Sequence, residues 1–376
     1  MIDRGLFTSE AVSDGHPDKI CDQISDAILD ACLAQDPTSR VALECAIKDH
    51  TICLLGEITT AAKFDLRNVA RSVLQHVGHD TDRWGLDLNR LHFVEVVSQQ
   101  SPEIGAGVNR PETGAGDQGL MFGFAIRETP ELMPLPISLA HALTERHRQL
   151  RQSSIGKVLG PDAKSQVTIR YQDRTPTGLD TVVFSTQHSV DIELHDLREL
   201  IRDEILRPVL GNQLTDEVRL HLNPAGTFYV GGPVADAGLT GRKIIVDTYG
   251  GFARHGGGAF SGKDATKVDR SAAYGARQLA RDVVARGWAH ACEVRVAYAI
   301  GIAHPVDVAF ETFGTEVDAA PADRYREVGL DILDLMRPAS IIDRLQLKRP
   351  VFRTTATGGH FGREDFSWEQ PLEAGQ

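Results

Sequence analysis

The apolar and polar positions of the chain change between a helical and an extended period, and this pattern predicts its elements. Apolar residues recur at helical spacing through residues 17–34, and Pro17 suits a first helical position. Residues 40–47 and 51–60 have the composition of strands around the polar turn 48–50, which predicts a hairpin. The same criteria predict helices at 65–76, 196–206 and 268–285, and strands at 6–9, 91–98, 120–126, 166–171, 181–188, 243–248 and 293–301.

These elements fall into three α+β units of comparable size, which suits a chain of 376 residues. We therefore expect three similar α+β domains with mixed or antiparallel sheets and helices on one face. Pseudo-threefold symmetry stays a hypothesis, because no repeat of fixed period is convincing. The expected domains are 1–100, 120–232 and 233–376. Residues 101–119 contain five glycines and few large apolar side chains, so we predict a flexible active-site loop there.

The composition is that of a globular protein, with 24% charged and 41% hydrophobic residues. No apolar run approaches the roughly 18 residues of a membrane span, so we expect a soluble protein. The net charge of −12 repels nucleic acid and anionic membranes, and any anionic ligand needs local positive charge. No secretory signal is visible, and the five cysteines lack CxxC spacing. These features predict a cytoplasmic protein without a disulfide framework or a zinc site.

Two glycine-rich stretches match nucleotide motifs by letter only. Residues 114–119 read GAGDQG, but no strand leads into them, and the dinucleotide fingerprint needs a strand-to-helix turn. Residues 257–264 end in Asp264, where a Walker A loop has Ser or Thr. Six of the thirteen residues 250–262 are glycine, and basic residues surround them: Arg242, Lys243, Arg254, His255, Lys263, Lys267 and Arg270. Backbone N–H groups and cations together favour a polyphosphate site, with a flexible surface loop as the alternative.

Two carboxylates and one further lysine are candidates for the same site. Asp18 lies beside His16 at the predicted start of the first helix, and Asp269 follows Lys263 by six residues. Mg²⁺ prefers hard oxygen ligands and commonly joins one or two carboxylates to phosphates. Lys164 precedes a predicted strand and is either a second anion ligand or an ordinary surface lysine.

For other acidic residues, the sequence does not decide between a structural and a functional role. Glu44 and Glu57 lie in the predicted hairpin among small or apolar neighbours, where each needs a partner. That partner is either a buried Lys or Arg, or a cation or ligand ammonium. Asp22, Asp26 and Asp30 continue from Asp18 at four-residue spacing, and we interpret this stripe as a solvated helix face.

These segments resemble the S-adenosylmethionine synthetase family, the methionine adenosyltransferases, over nearly the whole chain. The longest matching motifs are GAGDQGLMFG at 114–123 and GGGAFSGKD at 256–264. Shorter ones follow the family's order: GHPDK at 15–19, GEITT at 56–60, DAKSQ at 162–166, GLTGRK at 238–243 and GHFGRE at 359–364. Members of that family join ATP and methionine and then split the released tripolyphosphate into pyrophosphate and phosphate.

The resemblance implies a set of site residues. Catalytic roles are implied for His16, Lys164, Arg242 and Lys263. ATP contacts are implied for His16, Asp117, Asp162, Ala163, Lys164, Thr227, Phe228, Asp236, Arg242, Lys243, Ala259 and Lys263. Methionine contacts are implied for Glu57, Gln100, Asp236 and Lys267. Magnesium, two ions per site, is implied at Asp18 with Asp269 and Glu10 as further candidates, and potassium at Glu44.

The resemblance also implies a homotetramer built as a dimer of dimers, with active sites shared across the dimer interface. Three positions depart from the family pattern: Asp14 replaces Glu, Thr227 replaces Arg, and Ala235 replaces a common Gly. The loop after Gln100 is also shorter than in many relatives. Two rival functions stay open: an ATP-dependent phosphotransferase or ligase, and a catalytically silent nucleotide-binding homologue.

The implied reaction explains why cations cluster in an acidic chain. A thioether sulfur has no proton to lose, so its attack on the ribose C5′ needs alignment and leaving-group stabilisation rather than a base. We hypothesise that His16 donates a hydrogen bond to the leaving oxygen on C5′. The alternative is a structural His that caps the first helix.

Overall fold

The computed structural model describes residues 2–79, 82–99 and 114–372. Its strands are β1 (Arg4–Val12), β2 (Arg40–Lys48), β3 (Thr51–Thr59), β4 (His92–Ser98), β5 (Gly119–Ile126), β6 (Leu159–Gln172), β7 (Thr175–His188), β8 (Arg219–Leu222), β9 (Gly238–Leu239), β10 (Ala291–Tyr298) and β11 (Asp307–Glu311). Its helices are α1 (Pro17–Gln35), α2 (Leu66–Val77), α3 (Leu135–Arg151), α4 (Leu194–Leu200), α5 (Arg207–Leu210), α6 (Gly232–Ala235), α7 (Ile244–Asp247), α8 (Val268–Ala285), α9 (Pro321–Glu327), α10 (Ile332–Leu335) and α11 (Pro338–Arg344). A π-helical turn, Ile201–Leu206, joins α4 to α5.

The described strands form three sheets, each with a long helix against it. The strand orders are β1-β6-β7-β8, β4-β3-β2-β9 and β11-β10-β5. Neighbouring strands are antiparallel except for the parallel pairs β3–β4 and β7–β8. α1 packs on β2, α3 on β6, and α8 on β5 and β10. The three helices have 19, 17 and 18 residues, so the predicted fold of three similar α+β domains is confirmed.

Each sheet combines strands from distant parts of the chain. β1 pairs with β6, where Ser9 lies opposite Val167, and β5 pairs with β10. The short β9 pairs with β2, where Ala46 lies opposite Leu239. Because β1 pairs with β6, the start of α1 lies next to β6. Residues among the first 20 of the chain therefore lie beside Lys164. The contiguous domain boundaries given above remain a proposal.

The predicted strand at 243–248 is wrong, because this segment forms the short helix α7. A brief apolar run cannot distinguish a strand from a buried helical turn by periodicity alone. The helical turn directs Asp247 inward, where its carboxylate accepts a hydrogen bond from Lys19 at 2.5 Å. It also places Lys243 immediately before the helix, within reach of α1.

The interpretation of the α1 aspartates as a solvated face is also wrong. Asp22 and Asp26 are fully buried, and every aspartate of the stripe accepts backbone N–H groups from another segment. The donors are Leu239 N to Asp18 at 3.0 Å, Gly241 N to Asp22 at 2.9 Å, Gly262 N to Asp26 at 2.8 Å, and Phe352 N and Arg353 N to Asp30 at 2.9 and 2.8 Å. Four-residue spacing shows that the aspartates share one face of the helix. It does not show whether that face contacts water or the backbone of a distant loop.

A buried ion pair fixes the loop that carries Lys263. The Arg270 guanidinium and the Asp26 carboxylate are both inaccessible to solvent and join at 2.6 and 2.9 Å. Arg270 also donates to the carbonyls of Phe260 and Lys263 at 3.0 and 3.2 Å. Because Asp26 receives the N–H of Gly262, the pair holds the loop through both backbone donors and acceptors.

We expect Arg270→Met to lower the free energy of unfolding by about 3–5 kcal/mol, because it leaves the Asp26 charge buried and unpaired. The matched control is Arg295→Met, which breaks the exposed pair with Asp307 and should cost at most about 1 kcal/mol. Denaturant titrations of both variants at one protein concentration measure the difference. Equal losses would contradict the structural role of the buried pair.

None of the described helices combines the length and apolar character that a membrane crossing needs. All five cysteines are free, and Cys21, Cys32, Cys45 and Cys292 are buried.

Candidate active site

His16 caps α1 and keeps one ring nitrogen for another partner. Its Nδ1 accepts the N–H of Asp18 at 3.2 Å, and the residue is 3% exposed. Burial, together with the nearby charges of Lys243 and Lys164, lowers the pKa of His16 to about 3. The ring is therefore neutral at pH 7, and because Nδ1 is an acceptor its proton lies on Nε2. The two sequence hypotheses are compatible, since one nitrogen caps the helix while the other is a hydrogen-bond donor.

Asp18 is a buried carboxylate held by cations. Lys243 Nζ lies 2.5 Å from Oδ2, Leu239 N–H donates to Oδ1 at 3.0 Å, and an Arg242 nitrogen lies 3.9 Å from Oδ1. Burial opposes the ionisation of Asp18, but the donors on Lys243 and Leu239 outweigh it and hold its pKa below the ordinary value. Asp18 is therefore charged and already surrounded by the positive groups that a phosphate would need.

β6 contributes Asp162 and Lys164 to the same region. Asp162 Oδ2 accepts the N–H of Gly232 at 2.9 Å, whereas its buried Oδ1 has no hydrogen-bond partner among the described residues. Burial raises the pKa of Asp162 to about 6. Lys164 is exposed and lies opposite Val12 of β1. An unsatisfied buried acceptor beside an exposed lysine is the arrangement expected where a polar ligand completes the hydrogen bonding.

We call this group the His16 cluster: His16, Asp18, Asp162, Lys164, Asp236, Arg242 and Lys243. Asp236 and Arg242 lie on its exposed side. The cluster contains three cations and three carboxylates around one neutral imidazole. Its cations thus lie close together in a chain whose net charge is −12.

Of the residues expected near the adenosine, Phe228 lies close to the part of the cluster that contains Asp162. Phe228 makes two hydrogen bonds with His188: its N–H donates to His188 Nε2 at 3.1 Å, and its carbonyl accepts the His188 backbone N–H at 2.9 Å. Its ring lies 3.0 Å from the position of a Cβ on Gly231, beside Asp162's partner Gly232. Ala163 is buried and Thr227 is exposed.

A second group lies on the β2–β3 side of the molecule. Lys263 Nζ pairs with Asp269 at 2.7 Å, and Lys267, which precedes α8, pairs with Asp264 at 2.5 Å. Lys263 lies opposite Ala42 of β2 in an isolated bridge. We call Lys263, Lys267, Asp269, Glu57 and Glu44 the sheet-face cluster.

Glycine and alanine allow the loop to approach both groups closely. A Cβ on Gly258 would lie 2.4 Å from an Asp269 oxygen, so only glycine fits there without a shift. A Cβ on Gly241 would lie 2.6 Å from the Ala259 methyl group. Ala259 therefore lies beside the segment that carries Arg242 of the His16 cluster. Its neighbour Gly258 contacts Asp269 of the sheet-face cluster, so this loop lies between the two clusters.

Glu44 and Glu57 are exposed, and the described residues provide neither with a buried Lys or Arg, which was one of the two alternatives left open by the sequence. Both point to the same face of the β2–β3–β4 sheet, because Glu44 lies opposite Leu55 and Glu57 opposite Ala42. Leu55 and its β4 neighbour Val96 are 40% and 63% exposed on that face. The two carboxylates thus lie on an apolar surface that the described residues leave open.

The remaining predicted residues lie apart from these contacts. Asp117 is exposed, and its carboxylate accepts the N–H of Gln118 at 2.7 Å. Glu10 is exposed on β1, opposite Gln166. Gln100 and the predicted loop residues up to position 113 lie outside the described residues. Of the basic residues around the glycine-rich stretch, Arg254 pairs with Glu293 at 2.6 Å, and Arg270 is buried in its ion pair with Asp26.

Sequence reasoning missed the residue that positions the turn before His16. Arg151 at the end of α3 binds the Asp14 carboxylate with two hydrogen bonds of 2.7 and 2.8 Å. Gln23 donates to the Asp14 carbonyl at 2.7 Å. The only signal in the sequence was that Asp14 replaces the Glu of the family pattern. The sequence alone could not identify Arg151 as the partner of Asp14.

The neutral, buried state of His16 has a consequence for stability. The folded pKa of about 3 lies below the unfolded value of 6.5, so only the unfolded chain takes up this proton as the pH falls below 6.5. The contribution of the neutral His16 to the free energy of unfolding is therefore complete above pH 6.5, and it is lost as the pH falls towards 3. Between pH 7 and 5, we expect the wild type to lose about 2 kcal/mol more than His16→Asn. Urea titrations at both pH values measure this; equal losses would show that His16 titrates normally in the folded chain.

The carboxylates fit magnesium in a nucleotide complex better than a protein-only metal site. Asp18 and Asp269 offer hard oxygen ligands, and each is paired with a lysine that could turn to a phosphate. In the described part of the chain, neither cluster holds three ligand atoms close enough to share one ion. Mg²⁺ bound with nucleotides commonly takes only one or two carboxylates and keeps phosphate and water ligands.

Comparisons with known proteins agree with the sequence resemblance. Family models of the S-adenosylmethionine synthetase N-terminal, central and C-terminal domains match residues 4–102, 112–228 and 230–370. The S-adenosylmethionine synthase of Salinispora arenicola is 51% identical over 97% of this chain and 96% of its own length. Those of Bifidobacterium adolescentis and Treponema denticola are 50% and 48% identical over 98% of this chain and 96% of their own lengths.

Proposed function

Because this chain belongs to the S-adenosylmethionine synthetase family, we propose that it is a methionine adenosyltransferase, which forms S-adenosylmethionine from ATP and L-methionine. The observation that carries the proposal is the His16 cluster, in which a neutral histidine with Nε2–H as donor lies beside Lys164 and Lys243. These are the groups that the departure of a polyphosphate from C5′ requires.

The proposed reaction transfers a carbon centre rather than a phosphoryl group. The methionine sulfur attacks the ribose C5′, the C–O bond breaks, and tripolyphosphate leaves with the oxygen. No base is required, because the sulfur carries no proton. The His16 Nε2–H donates to the leaving oxygen as its charge develops, and the cations of the cluster stabilise the departing chain. Alignment of sulfur, carbon and oxygen can contribute roughly 7–11 kcal/mol.

Each implied residue has a proposed part. Lys164, Arg242, Lys243 and Lys263 hold the phosphates. Asp117, Asp162, Ala163, Thr227, Phe228 and Ala259 surround the nucleoside. Glu57, Gln100, Asp236 and Lys267 bind methionine. The unsatisfied Oδ1 of Asp162 supports its part, because a donor on the nucleotide would complete that group's hydrogen bonding.

Metal ions complete the proposal. Asp18 and Asp269 would hold Mg²⁺, with Glu10 as a further candidate, and Glu44 would hold K⁺. Bound magnesium would neutralise phosphate charge and favour the departure of the polyphosphate. In the absence of magnesium, Lys243 and Lys263 already pair with Asp18 and Asp269, and a phosphate could replace these carboxylates as the partner of each lysine. The same cations would retain tripolyphosphate for its hydrolysis to pyrophosphate and phosphate.

The exposed sheet face supports a dimer that completes the active site. Glu44 and Glu57 lie on a face whose large side chains include Leu55, Val94 and Val96, and which nothing in the described chain covers. We propose that a second copy covers this face and that the two chains together form each site. A tetramer of two such dimers is the proposed assembly. The five free thiols support a cytoplasmic location as part of the same proposal.

Val96→Asp should break the proposed assembly into smaller species, because it places a charge in the centre of the covered face. The control Val190→Asp changes a valine that is 72% exposed in the turn after β7, outside this sheet, and should leave the assembly unchanged. Light scattering after size-exclusion chromatography measures both masses. A Val96→Asp protein with the wild-type mass would reject this interface.

One assay separates the proposed function from its rivals. The protein is incubated with ATP, methionine, Mg²⁺ and K⁺, and the products are identified by mass spectrometry. We expect a sulfonium product together with pyrophosphate and phosphate in equal amounts. ADP or AMP as the main nucleotide product would indicate a phosphotransferase or ligase, and no turnover would indicate a silent homologue.

A further inference from the structure

A large cavity lies apart from both clusters. Its volume is about 920 Å³, and it lies between α3 and the C-terminal segment 353–363. No residue assigned above to ATP, methionine or a metal ion lines it. Binding sites for small molecules typically have volumes of roughly 300–1,000 Å³, so this cavity has the size of a complete site.

The walls are mainly apolar. α3 contributes Leu135, Leu139 and Ala142, and the opposite wall includes Met133 and Phe361. Predominantly apolar walls with a few polar groups are typical of sites that enclose small organic molecules. The walls therefore favour a ligand with an apolar body.

The charged groups that line the cavity, the carboxylates of Asp14, Glu131 and Glu145 and the guanidinium groups of Arg148, Arg353 and Arg363, differ in their partners. Arg148 is neutralised by Glu145 through hydrogen bonds of 2.8 and 2.6 Å. The Arg353 guanidinium, by contrast, makes no hydrogen bond or ion pair with any described residue. Its backbone N–H is fixed by Asp30 at 2.8 Å, so the side chain starts from an anchored position. Burial lowers the pKa of Arg353, and the nearby charge of Asp30 opposes this shift.

A second guanidinium, that of Arg363, also lines the cavity. It donates to the carbonyls of Thr354 and Thr357 at 2.7 and 3.1 Å and forms an ion pair with Asp365 at 3.9 Å. The charges of Arg148 and Arg363 are therefore met by carboxylates. The cavity combines apolar walls with one guanidinium, that of Arg353, for which the described residues provide no ion pair.

His141 supplies an unused acceptor at the same cavity. Its Nε2 lies 2.9 Å from the Val246 carbonyl, so this nitrogen carries the proton and Nδ1 is an acceptor. That buried Nδ1 has no hydrogen-bond partner among the described residues. A ligand with a hydroxyl or amide group could satisfy it.

We propose that this cavity binds a small amphipathic anion, with a carboxylate or phosphate at Arg353 and an apolar body between Leu139 and Phe361. The proposal is independent of the methionine adenosyltransferase function, because the two sites share no residue and the test below measures binding alone. Guanidinium groups bind both carboxylates and phosphates through paired hydrogen bonds, so the two head groups are tested separately.

Isothermal titration calorimetry with C8 probes tests the proposal on the full chain. Sodium octanoate and octyl phosphate should each bind at one site per chain, and the tighter of the two identifies the head group. Octanol should bind at least about tenfold more weakly, because it lacks the charge, and octylammonium should bind more weakly still. Absence of saturable octanoate and octyl phosphate binding, or equal affinity for octanoate and octanol, would overturn the proposal.

Three variants locate the binding. Arg353→Met should weaken octanoate about tenfold and leave octanol unchanged, whereas Arg353→Lys should show a smaller loss. Ala142→Trp should fill the cavity and abolish binding of both probes. The control Arg349→Met removes an exposed guanidinium outside the cavity and should change nothing. Equal behaviour of Arg353→Met and Arg349→Met, or wild-type binding by Ala142→Trp, would overturn the proposal; unfolding midpoints confirm that each variant is folded.

Discussion

His16→Ala should lower the single-turnover rate of S-adenosylmethionine formation by roughly 10²–10³-fold, the usual effect of removing one donor from a developing oxyanion. The reason is the fixed tautomer: Nδ1 is occupied by the Asp18 N–H, and the Nε2 proton is available for the leaving oxygen. Hydrolysis of added tripolyphosphate breaks no bond to C5′, so we expect it to change much less. Rapid-quench assays of both steps measure the ratio.

Two further variants separate catalysis from helix capping. His16→Asn retains a good capping residue, so it should preserve stability at pH 7 while losing most of the rate. His221→Ala, which removes an exposed histidine of β8, should behave as the wild type. Equal losses in sulfonium formation and tripolyphosphate hydrolysis for His16→Ala would reject the leaving-group role.

Lys164→Met should slow the first chemical step by roughly 10²-fold, because it removes a cation from the region where the polyphosphate charge develops. Lys164 is exposed and adjacent to His16, on which its charge acts directly. The structure gives it no carboxylate partner in the described chain, so its loss should not disturb the fold. Single-turnover rates at saturating ATP separate this effect from weaker nucleotide binding.

The control for this experiment is Lys157→Met, which changes an exposed lysine just before β6. It should leave both the rate and the affinity for ATP unchanged. A Lys164→Met protein whose single-turnover rate equals that of the wild type would be incompatible with a role for Lys164 in the chemical step.

Local pattern was sufficient for the strongly periodic elements. The helix at 268–285 coincides with α8, and the hairpin was placed to within one residue, because each has a clear period and a defined turn. The three-domain fold followed from the succession of such elements. The short apolar run at 243–248 failed for the opposite reason, since it contains too few residues to establish a period.

Long-range partners could not be derived from the sequence. The α1 aspartates looked solvated, yet Asp26 binds Arg270 and Gly262 from positions more than 230 residues away. The pairing of β1 with β6, which brings His16 to Lys164, leaves no local signal in either strand. Family resemblance named the candidate site residues, whereas the structure added the tautomer of His16 and the exposed setting of Glu44 and Glu57.

The fate of the oxygen between C5′ and the α-phosphorus tests the central claim most directly. ATP labelled with oxygen-18 at this bridging position is converted in the presence of methionine, and the products are analysed by mass spectrometry. If the sulfur attacks C5′, the label leaves with the polyphosphate and appears in the inorganic products. Label that stays attached to the nucleoside would show cleavage at phosphorus and would contradict the account.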